Sequence, residues 1–307
     1  MSTETTPNVP ATVQPVNYRE ITKPDKWKQL PADAKHQTVK GLLQQYQKSI
    51  EKALPRHISI ERLMKVALTA ITKQPELLDC DPNTFMLALM GAGQLGLEPN
   101  TPLGSAYLVP FFNSKRGVKE IQLIPGYRGL IELARRSGEI ASIEARVVYE
   151  NDSFEFSFGL EPKLVHTPTL SERGSMRLVY AVARLKGEGN QPIVEVMTKT
   201  DIDKIKAKSK AGNSGPWVDH YDEMARKTVV RRLCKYLPLS IELATAIDLD
   251  NAAAMGDKQT IAVDLPDDMR IEVDDEDATG TEKLAEKLAA KNGKGKTDLL
   301  DNTENKE

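Results

Sequence analysis

Cysteine and aromatic residues are scarce in this chain of 307 residues. It contains two cysteines, Cys80 and Cys234, and only 5% of its residues are Phe, Trp or Tyr. The cysteines lie far apart in apolar helical patterns, so no disulfide framework is predicted and a reducing cytoplasm fits. No run is long and apolar enough to span a bilayer, and the N-terminus lacks the regions of a signal peptide. We therefore expect a cytoplasmic protein without a membrane segment.

Histidine is also rare, with four residues in the chain. They are His36, His57, His166 and His220. Their spacing to the cysteines does not fit a metal site, and nothing resembles a nucleophile elbow or a paired His and Ser. We therefore expect neither a catalytic residue nor a resident metal, although carboxylates are too numerous for spacing alone to exclude an acidic metal site.

Two glycine-containing segments come close to nucleotide-binding signatures. Gly91–Gly96 is formally G-x-G-x-x-G, but Pro99 and Pro102 stand where the phosphate-binding helix should follow. Gly295–Thr297 resembles the end of a Walker A loop, yet Ala290 occupies the position of the first glycine. The first segment is interpreted as a helix end with small packing residues. No ATP site and no cofactor are predicted.

Charge is distributed unevenly along the chain, although its formal net charge is only −2. From Asp264 to the C-terminus 14 acidic and 7 basic residues give −7, which leaves +5 for the rest of the chain. We expect three parts: a disordered N-terminal segment (1–35), a core (36–250) and an acidic, largely disordered tail (251–307). Within the tail, Leu284 and Leu288 can form one face of a short helix for a partner, or the tail can simply be solvated.

The periodicity of apolar residues predicts an α+β fold. Helical patterns cover about 37–54, 59–73 and 82–95. Two apolar runs around the loop 113–117 predict a hairpin, and GYRGLIELARRSG after it predicts a short helix. Alternating residues then predict strands, among them 177–186 and 191–197. We expect a small, mainly antiparallel sheet with flanking helices, including a long basic helix near the end of the core.

The segment from Thr198 to Pro238 concentrates basic side chains, a glycine turn and two aromatic groups. A helix drawn from Asp219 to Leu237 aligns three cations at i, i+4 and i+8: Lys227, Arg231 and Lys235. Like charges at this spacing destabilise a helix by roughly 0.2–0.5 kcal/mol per pair, and no acid follows Glu223 within the helix. A polyanion reverses that effect. The alternative interpretation is a solvated helix face screened by counterions.

A second basic helix is predicted before the glycine turn. Thr200 and Asp203 suggest its start, and four lysines follow. These are Lys204, Lys206, Lys208 and Lys210. Trp217 and Tyr221 lie beyond the turn, and bases stack on aromatic faces while cations hold phosphates. The two helices are therefore interpreted as walls of a nucleic-acid groove, with a core position as the alternative for Trp217.

Several of these stretches together resemble the RecT family of phage and prophage single-strand annealing recombinases. The resemblance runs almost continuously from Ala53 to about Ile247. Its most specific stretches are GQLGLEPNTPLGSAYLVPF, IPGYRGLIELARRSGEIASIEARVVYE and SKAGNSGPWVDHYDEMARKTVVRRLCKYLP.

The resemblance implies a protein that binds single-stranded DNA and pairs it with a complementary strand without ATP and without covalent catalysis. It further implies a ring or helical filament of identical subunits, a 5′-to-3′ exonuclease as partner, and a host single-strand-binding protein beside it. Magnesium stays open as a modulator of annealing. An RNA-binding or general single-strand chaperone module is the alternative function, because a basic groove with aromatic residues does not by itself distinguish the two nucleic acids.

Residue types within this resemblance give the candidate DNA contacts. They are Tyr127, Arg128, Arg135, Lys208, Lys210, Trp217, Tyr221, Lys227, Arg231, Arg232 and Lys235, with Lys115, Arg116 and Lys119 at the hairpin tip as secondary candidates. Alternatives stay open for some of them. Arg128 can pair with Glu132 at i+4, at most one of Arg135 and Arg136 is expected to face the groove, and exposure alone can explain the hairpin tip.

Overall fold

A computed structural model describes residues 21–55, 58–114, 116–160, 162–187, 192–210, 212–238, 240–259 and 261. The helices are α1 (Pro24–Gln29), α2 (Ala32–Gln45), α3 (Gln47–Ala53), α4 (Ile60–Lys73), α5 (Pro82–Leu95), α6 (Tyr127–Arg136), α7 (Lys199–Lys208), α8 (Pro216–Asp219), α9 (Tyr221–Leu233) and α10 (Ile241–Met255). The strands are β1 (Ala106–Asn113), β2 (Val118–Pro125), β3 (Ile140–Tyr149), β4 (Ser153–Ser157), β5 (Lys163–Thr167), β6 (Met176–Leu185) and β7 (Ile193–Thr198). This confirms the predicted α+β class, while the ring or filament stays a prediction.

The N-terminal part of the described chain is helical where disorder was predicted. Residues 21–35 contain α1 and the start of α2, and the indole of Trp27 is only 2% exposed. Its Nε1 donates a hydrogen bond to the carbonyl oxygen of Leu78 at 3.0 Å. The disorder prediction is therefore wrong for these residues, because a buried, hydrogen-bonded tryptophan outweighs a polar local composition. Residues 1–20 lie outside the described part.

The glycine-rich segment lies inside and at the end of α5. A Cβ on Gly93 would collide with side-chain atoms of Leu54 and Leu63, so glycine permits close helix packing here. Gly96 ends the helix in the left-handed region with φ +65°. A helix rather than a strand precedes the glycines, which confirms the interpretation as a helix end with packing residues.

The predicted hairpin is present as β1 and β2, which pair antiparallel from Ala106 opposite Pro125 to Asn113 opposite Val118. The predicted short helix, α6, follows directly after Gly126 and packs against β3 and α9. This sequence of elements places the start of α6 beside the first residues of β1.

A three-stranded antiparallel sheet in the order β3-β6-β7 forms the centre of the fold. One face carries Val147, Val179 and Met197, all at most 3% exposed, and α9 packs on this face. The opposite face is covered in part by the hairpin β4-β5, whose Phe154 and Leu164 pack on buried sheet residues. The alternation seen in the sequence therefore reflects two packed faces.

The core extends further toward the C-terminus than predicted. Helix α10 reaches Met255, and the side chain of Gln259 bonds both the N–H and the C=O of Leu123 on β2, at 2.8 and 2.7 Å. A boundary at residue 250 is therefore too early, because residues up to 261 take part in the packing. The possible partner helix at Leu284 and Leu288 lies outside the described residues.

Two helix boundaries near the basic segment also differ from the prediction. Helix α7 begins at Lys199, because Thr198 and Asp201 form a reciprocal capping box. The helix drawn from Asp219 to Leu237 is instead divided into the short α8, then α9, then a 3₁₀ turn at Cys234–Tyr236.

Candidate nucleic-acid interface

The cations of α9 predicted to form a free ridge have an acidic partner on α10. Arg231 Nη1 lies 3.0 Å from Oδ2 of Asp250, and the Lys227 ammonium pairs with Oδ1 of the same carboxylate. The side chain of Asp250 is 4% exposed, and those of Lys227 and Arg231 are 15% and 18% exposed. The expectation that these two cations stay free of protein partners is wrong. The neutralising acid comes from the next helix rather than from α9 itself.

The two remaining predicted cations near the end of α9 are more accessible. Arg232 is half-exposed, and its Nε lies 2.6 Å from a carboxylate oxygen of Glu195 on β7. Lys235 is exposed in the 3₁₀ turn that follows α9. The predicted ridge thus divides into two mostly buried, ion-paired members, Lys227 and Arg231, and one exposed member, Lys235.

Tyr221 joins α7 to the first turn of α9. Its hydroxyl donates a hydrogen bond to Oδ1 of Asp203 at 2.6 Å, and the ammonium groups of Lys199 and Lys206 lie 5.7 and 5.5 Å from its ring centre. Burial and the bond to Asp203 raise the pKa of the Tyr221 hydroxyl. The structure therefore brings Tyr221 together with Lys199 and Lys206 of α7. Its ring, however, already has protein cations over it.

Lys208 and Lys210 are exposed at the end of α7. The backbone N–H of Lys210 donates to the carbonyl oxygen of Ala254 at 3.2 Å, and its side chain passes over Gly256 at the end of α10. We call Lys206, Lys208, Lys210 and Tyr221 the α7 surface. Among the described residues, no carboxylate forms an ion pair with Lys208 or Lys210, so both ammonium groups are available to a polyanion.

Trp217 does not offer a stacking face in this structure. It is 4% exposed and meets Tyr221 edge-to-face, with ring centroids 6.1 Å apart. Its burial corrects the expectation that a base stacks on this ring and agrees with the alternative of a core tryptophan.

Helix α6 presents two predicted arginines to solvent. Arg128 and Arg135 are both exposed, and their i, i+7 spacing places them on one face of the helix. A hydrogen bond with the half-buried Tyr127 raises the pKa of Arg128. No described carboxylate forms an ion pair with either arginine. Both guanidinium groups therefore remain accessible to a polyanion.

The alternative partner of Arg128 is engaged elsewhere. Glu132 pairs with Arg136, and Arg136 also donates to the carbonyl oxygens of Leu95 and Gly96, at 2.7 Å each. Of the adjacent arginines, Arg136 thus closes the end of α5 while Arg135 faces outward. The expectation that at most one of the two faces the groove stays a prediction.

A residue that the sequence reasoning missed, Tyr107 of β1, lies beside Arg128 and is 45% exposed. Its outward position follows from the alternation of buried Ala106 and Leu108 around it, so the signal was present in the strand pattern. We call Tyr107, Tyr127, Arg128 and Arg135 the α6 surface. The carboxylate of Glu223, in the first turn of α9, acts electrostatically on Arg128, so that turn neighbours both surfaces.

At the hairpin tip, Arg116 is ion-paired within the protein, which its sequence context does not indicate. Arg116 bridges Oδ2 of Asp81 at 3.2 Å and Oε1 of Glu120 at 2.5 Å. Lys119 is exposed, and Lys115 lies outside the described residues. Arg116 therefore fixes the loop to the start of α5 and is a weaker candidate for a phosphate contact.

Beneath the hairpin β4-β5, a buried carboxylate organises a polar network. Asp152 accepts hydrogen bonds from Arg173 Nη2 at 2.5 Å and from the backbone N–H groups of Tyr149 and Thr169 at 2.9 Å, and His166 Nε2 lies 3.2 Å away. The bond from Arg173 is the main cause that holds the pKa of Asp152 far below its ordinary value. The network fixes the hairpin to the sheet, and its polar groups are occupied by one another.

Both cysteines are free and buried. Burial raises the pKa of each thiol, Cys80 and Cys234, to about 12, so both stay protonated. Within the described ranges no cluster of three or more His, Cys, Asp or Glu side chains could hold a metal ion. Within the described part of the chain, no helix is long and apolar enough to cross a bilayer.

The part of the chain that carries the α6 and α7 surfaces is similar to known proteins. The model of the RecT family matches residues 61–263, which include both surfaces. Protein RecT of Escherichia coli (strain K12) is 48% identical over 241 residues, covering 77% of this chain and 87% of that protein. Uncharacterized protein YqaK of Bacillus subtilis (strain 168) is 27% identical over 225 residues, covering 72% of this chain and 75% of that protein.

Proposed function

Because this chain belongs to the RecT family, we propose that it binds single-stranded DNA and anneals complementary strands without ATP during recombination of the phage type. Family membership supports the recombination and strand-annealing role. The observation that carries the proposal is the family match over residues 61–263, since this range contains every described cation of the α6 and α7 surfaces. The reaction needs no covalent step and no cofactor, while magnesium can modulate it.

Phosphate binding is assigned to the exposed cations. Arg128 and Arg135 on α6, with Lys208 and Lys210 on α7, hold one DNA backbone and release its counterions. Lys235, which is exposed, adds to this set. Binding through the backbone leaves the Watson–Crick edges of the bases free, so a second strand can test its complementarity without base readout by the protein. Annealing then proceeds on the energy of base pairing alone.

A supporting role is assigned to the buried cations of α9. Lys227 and Arg231 hold Asp250 and thereby fix α10 against α9. The carbonyl oxygen of Ala254 on α10 in turn accepts a hydrogen bond from the backbone N–H of Lys210. These residues position the α7 surface and do not themselves contact DNA in our proposal, which revises the sequence-based assignment of both.

The proposed assembly is a homo-oligomer that orders one strand along successive subunits in the cytoplasm. A chain of bound subunits removes the hairpins of single-stranded DNA that slow pairing. A 5′-to-3′ exonuclease supplies the strand, and a host single-strand-binding protein competes for it or delivers it. These partners belong to the proposal and follow from the family.

The test is annealing of labelled complementary oligonucleotides without nucleotide at several salt concentrations. We compare the wild type with Arg128→Ala/Arg135→Ala and with Arg146→Ala/Lys163→Ala. The control pair removes the same charge from exposed residues of β3 and β5. If both arginines contact phosphate, the salt dependence of single-strand binding flattens by roughly 1.4 units in the first variant and stays unchanged in the control. A matched RNA strand as competitor separates this function from a general single-strand chaperone.

Two results contradict the proposal. The first is a wild-type protein that does not accelerate annealing without ATP. The second is equal salt dependence in all three proteins, which would remove the α6 surface from the DNA interface.

A further inference from the structure

Tyr107 is an exposed aromatic side chain in an otherwise buried part of β1. Its neighbours Ala106 and Leu108 are at most 1% exposed, whereas Tyr107 is 45% exposed and stands opposite Ile124. Most other described tyrosines and both tryptophans are buried or hydrogen-bonded, with Tyr236, 63% exposed in the 3₁₀ turn after α9, as the exception. Tyr221 and Tyr149 bond Asp203 and Asp222, and Trp27 and Trp217 are buried. Tyr107 is thus one of two well-exposed tyrosines among the described residues, and the one that lies beside Arg128 on the α6 surface.

The ring of Tyr107 lies close to two glycines, Gly104 and Gly126. Its hydroxyl oxygen lies 3.0 Å from where a Cβ of Gly104 would stand, and ring atom Cε2 lies 3.3 Å from the corresponding position of Gly126. Gly104 has φ +64°, a conformation that other residues rarely adopt. A side chain at Gly104 would press on the hydroxyl, whereas one at Gly126 would first collide with the carbonyl oxygen of Gly104, 2.2 Å from its Cβ position. The two glycines therefore leave room for the ring close to the backbone.

The side chain of Arg128 also lies close to Gly104. Cδ of Arg128 is 3.8 Å from the position of a Gly104 Cβ, so the stem of this arginine passes the tyrosine hydroxyl. Leu103, 57% exposed, precedes Gly104 at the rim. An accessible aromatic ring, an arginine and an exposed apolar side chain thus lie close together. This combination suits the base and the phosphate of a nucleotide, and burial does not explain it.

We propose that Tyr107 is a stacking platform for one base of the bound single strand, with Arg128 at the adjacent phosphate. The proposal rests on the proposed function and adds to it the contact that holds a base. Stacking uses the flat face of the base and requires no particular sequence. It leaves the Watson–Crick edge free for the complementary strand, which annealing requires. Tyr107 also orders the base beside the phosphate that Arg128 binds.

The test uses short single-stranded oligonucleotides containing 2-aminopurine, whose fluorescence changes when the base stacks. Four proteins are compared: wild type, Tyr107→Leu, Tyr107→Phe and Phe158→Leu. Phe158 is an exposed aromatic residue (68%) outside both surfaces and is the matched control. We expect Tyr107→Leu to lose the stacking signal and to bind on the order of tenfold more weakly. Tyr107→Phe and Phe158→Leu should behave like the wild type.

Photocrosslinking of the wild type to an oligonucleotide with 5-iododeoxyuridine gives an independent readout, with the modified peptide expected to contain Tyr107. This measurement decides the question even if Tyr107→Leu does not fold.

The proposed stacking is wrong if the wild type binds and anneals DNA but Tyr107→Leu keeps the wild-type signal and affinity, or if crosslinks lie only elsewhere. It is also wrong if Tyr107→Leu changes only the oligomeric state. A wild type that binds no single strand contradicts the proposed function itself, so the two failures are distinguishable.

Discussion

Two sets of basic residues at helical spacing have opposite environments in this protein. Arg128 and Arg135 of α6 are exposed, whereas Lys227 and Arg231 of α9 lie mostly buried around Asp250. Their sequence patterns are similar, since each set repeats a cation on one helical face. The difference shows that a basic stripe alone does not identify a nucleic-acid contact. A single acid from a neighbouring helix determines whether the stripe is an internal support or an accessible surface.

The energetics of the two sets differ accordingly. Burying Asp250 carries a desolvation cost that two nearby cations offset, so removing one partner leaves an uncompensated buried charge. Cations on α6 remain in water, where their mutual repulsion is screened by salt. The first set therefore contributes to stability and the second to binding of a polyanion. Substitutions in the two sets should have separable effects.

The largest expected effect is on stability. Asp250→Ala leaves Lys227 and Arg231 side by side without their counter-charge and should lower the free energy of unfolding by about 3–5 kcal/mol. Urea denaturation measures this loss. Asp248→Ala, an exposed position on the same helix, is the control and should change little. Equal losses of stability in Asp250→Ala and Asp248→Ala would contradict the structural role of the α9 cations. Tighter DNA binding by Asp250→Ala at unchanged stability would contradict it as well, since Lys227 and Arg231 would then act as DNA contacts.

Local structure was predictable from the sequence where apolar periodicity decides it. The hairpin β1-β2, helix α6 and the strands β6 and β7 were all predicted from patterns that span one element. The outward position of Tyr107 could also have been read from the alternation of β1. In these cases the local signal and the final packing agree.

Tertiary pairing was not predictable in the same way. Asp250 lies 19 residues beyond Arg231 in the sequence, and nothing in its local pattern says which helix it will face. Trp27 lies in a polar segment, yet its partner Leu78 is 51 residues away. Trp217 follows a glycine turn, where exposure was a reasonable expectation. Helix periodicity gives the faces of an element, and only the assembled fold decides which faces meet.

A smaller effect is expected for the exposed lysines of the α7 surface. Lys208→Ala/Lys210→Ala should leave the urea midpoint nearly unchanged, because neither ammonium group pairs with a described carboxylate. If both lysines contact phosphate, the salt dependence of single-strand binding should flatten by roughly 1.4 units. Lys65→Ala/Lys73→Ala on α4 removes the same charge from exposed positions and serves as the control. Identical slopes in the two double variants would exclude the α7 surface from the interface.

The smallest effect concerns a second internal ion pair, that of Arg173 with Asp152, and it depends on pH. Because Arg173 lowers the pKa of Asp152 in the folded state, ionised Asp152 stabilises the fold at a pH above the ordinary carboxyl value of about 4. That contribution is lost as the pH falls, since the unfolded chain takes up the proton first. Arg173→Gln should therefore be less stable than the wild type at pH 7, and the gap between their urea midpoints should shrink below about pH 4. Arg177→Gln, an exposed arginine on β6, should show no such gap. A gap that persists unchanged to pH 3 would mean that Arg173 acts through packing over the Tyr149 ring, 4.2 Å away, and not through the carboxylate.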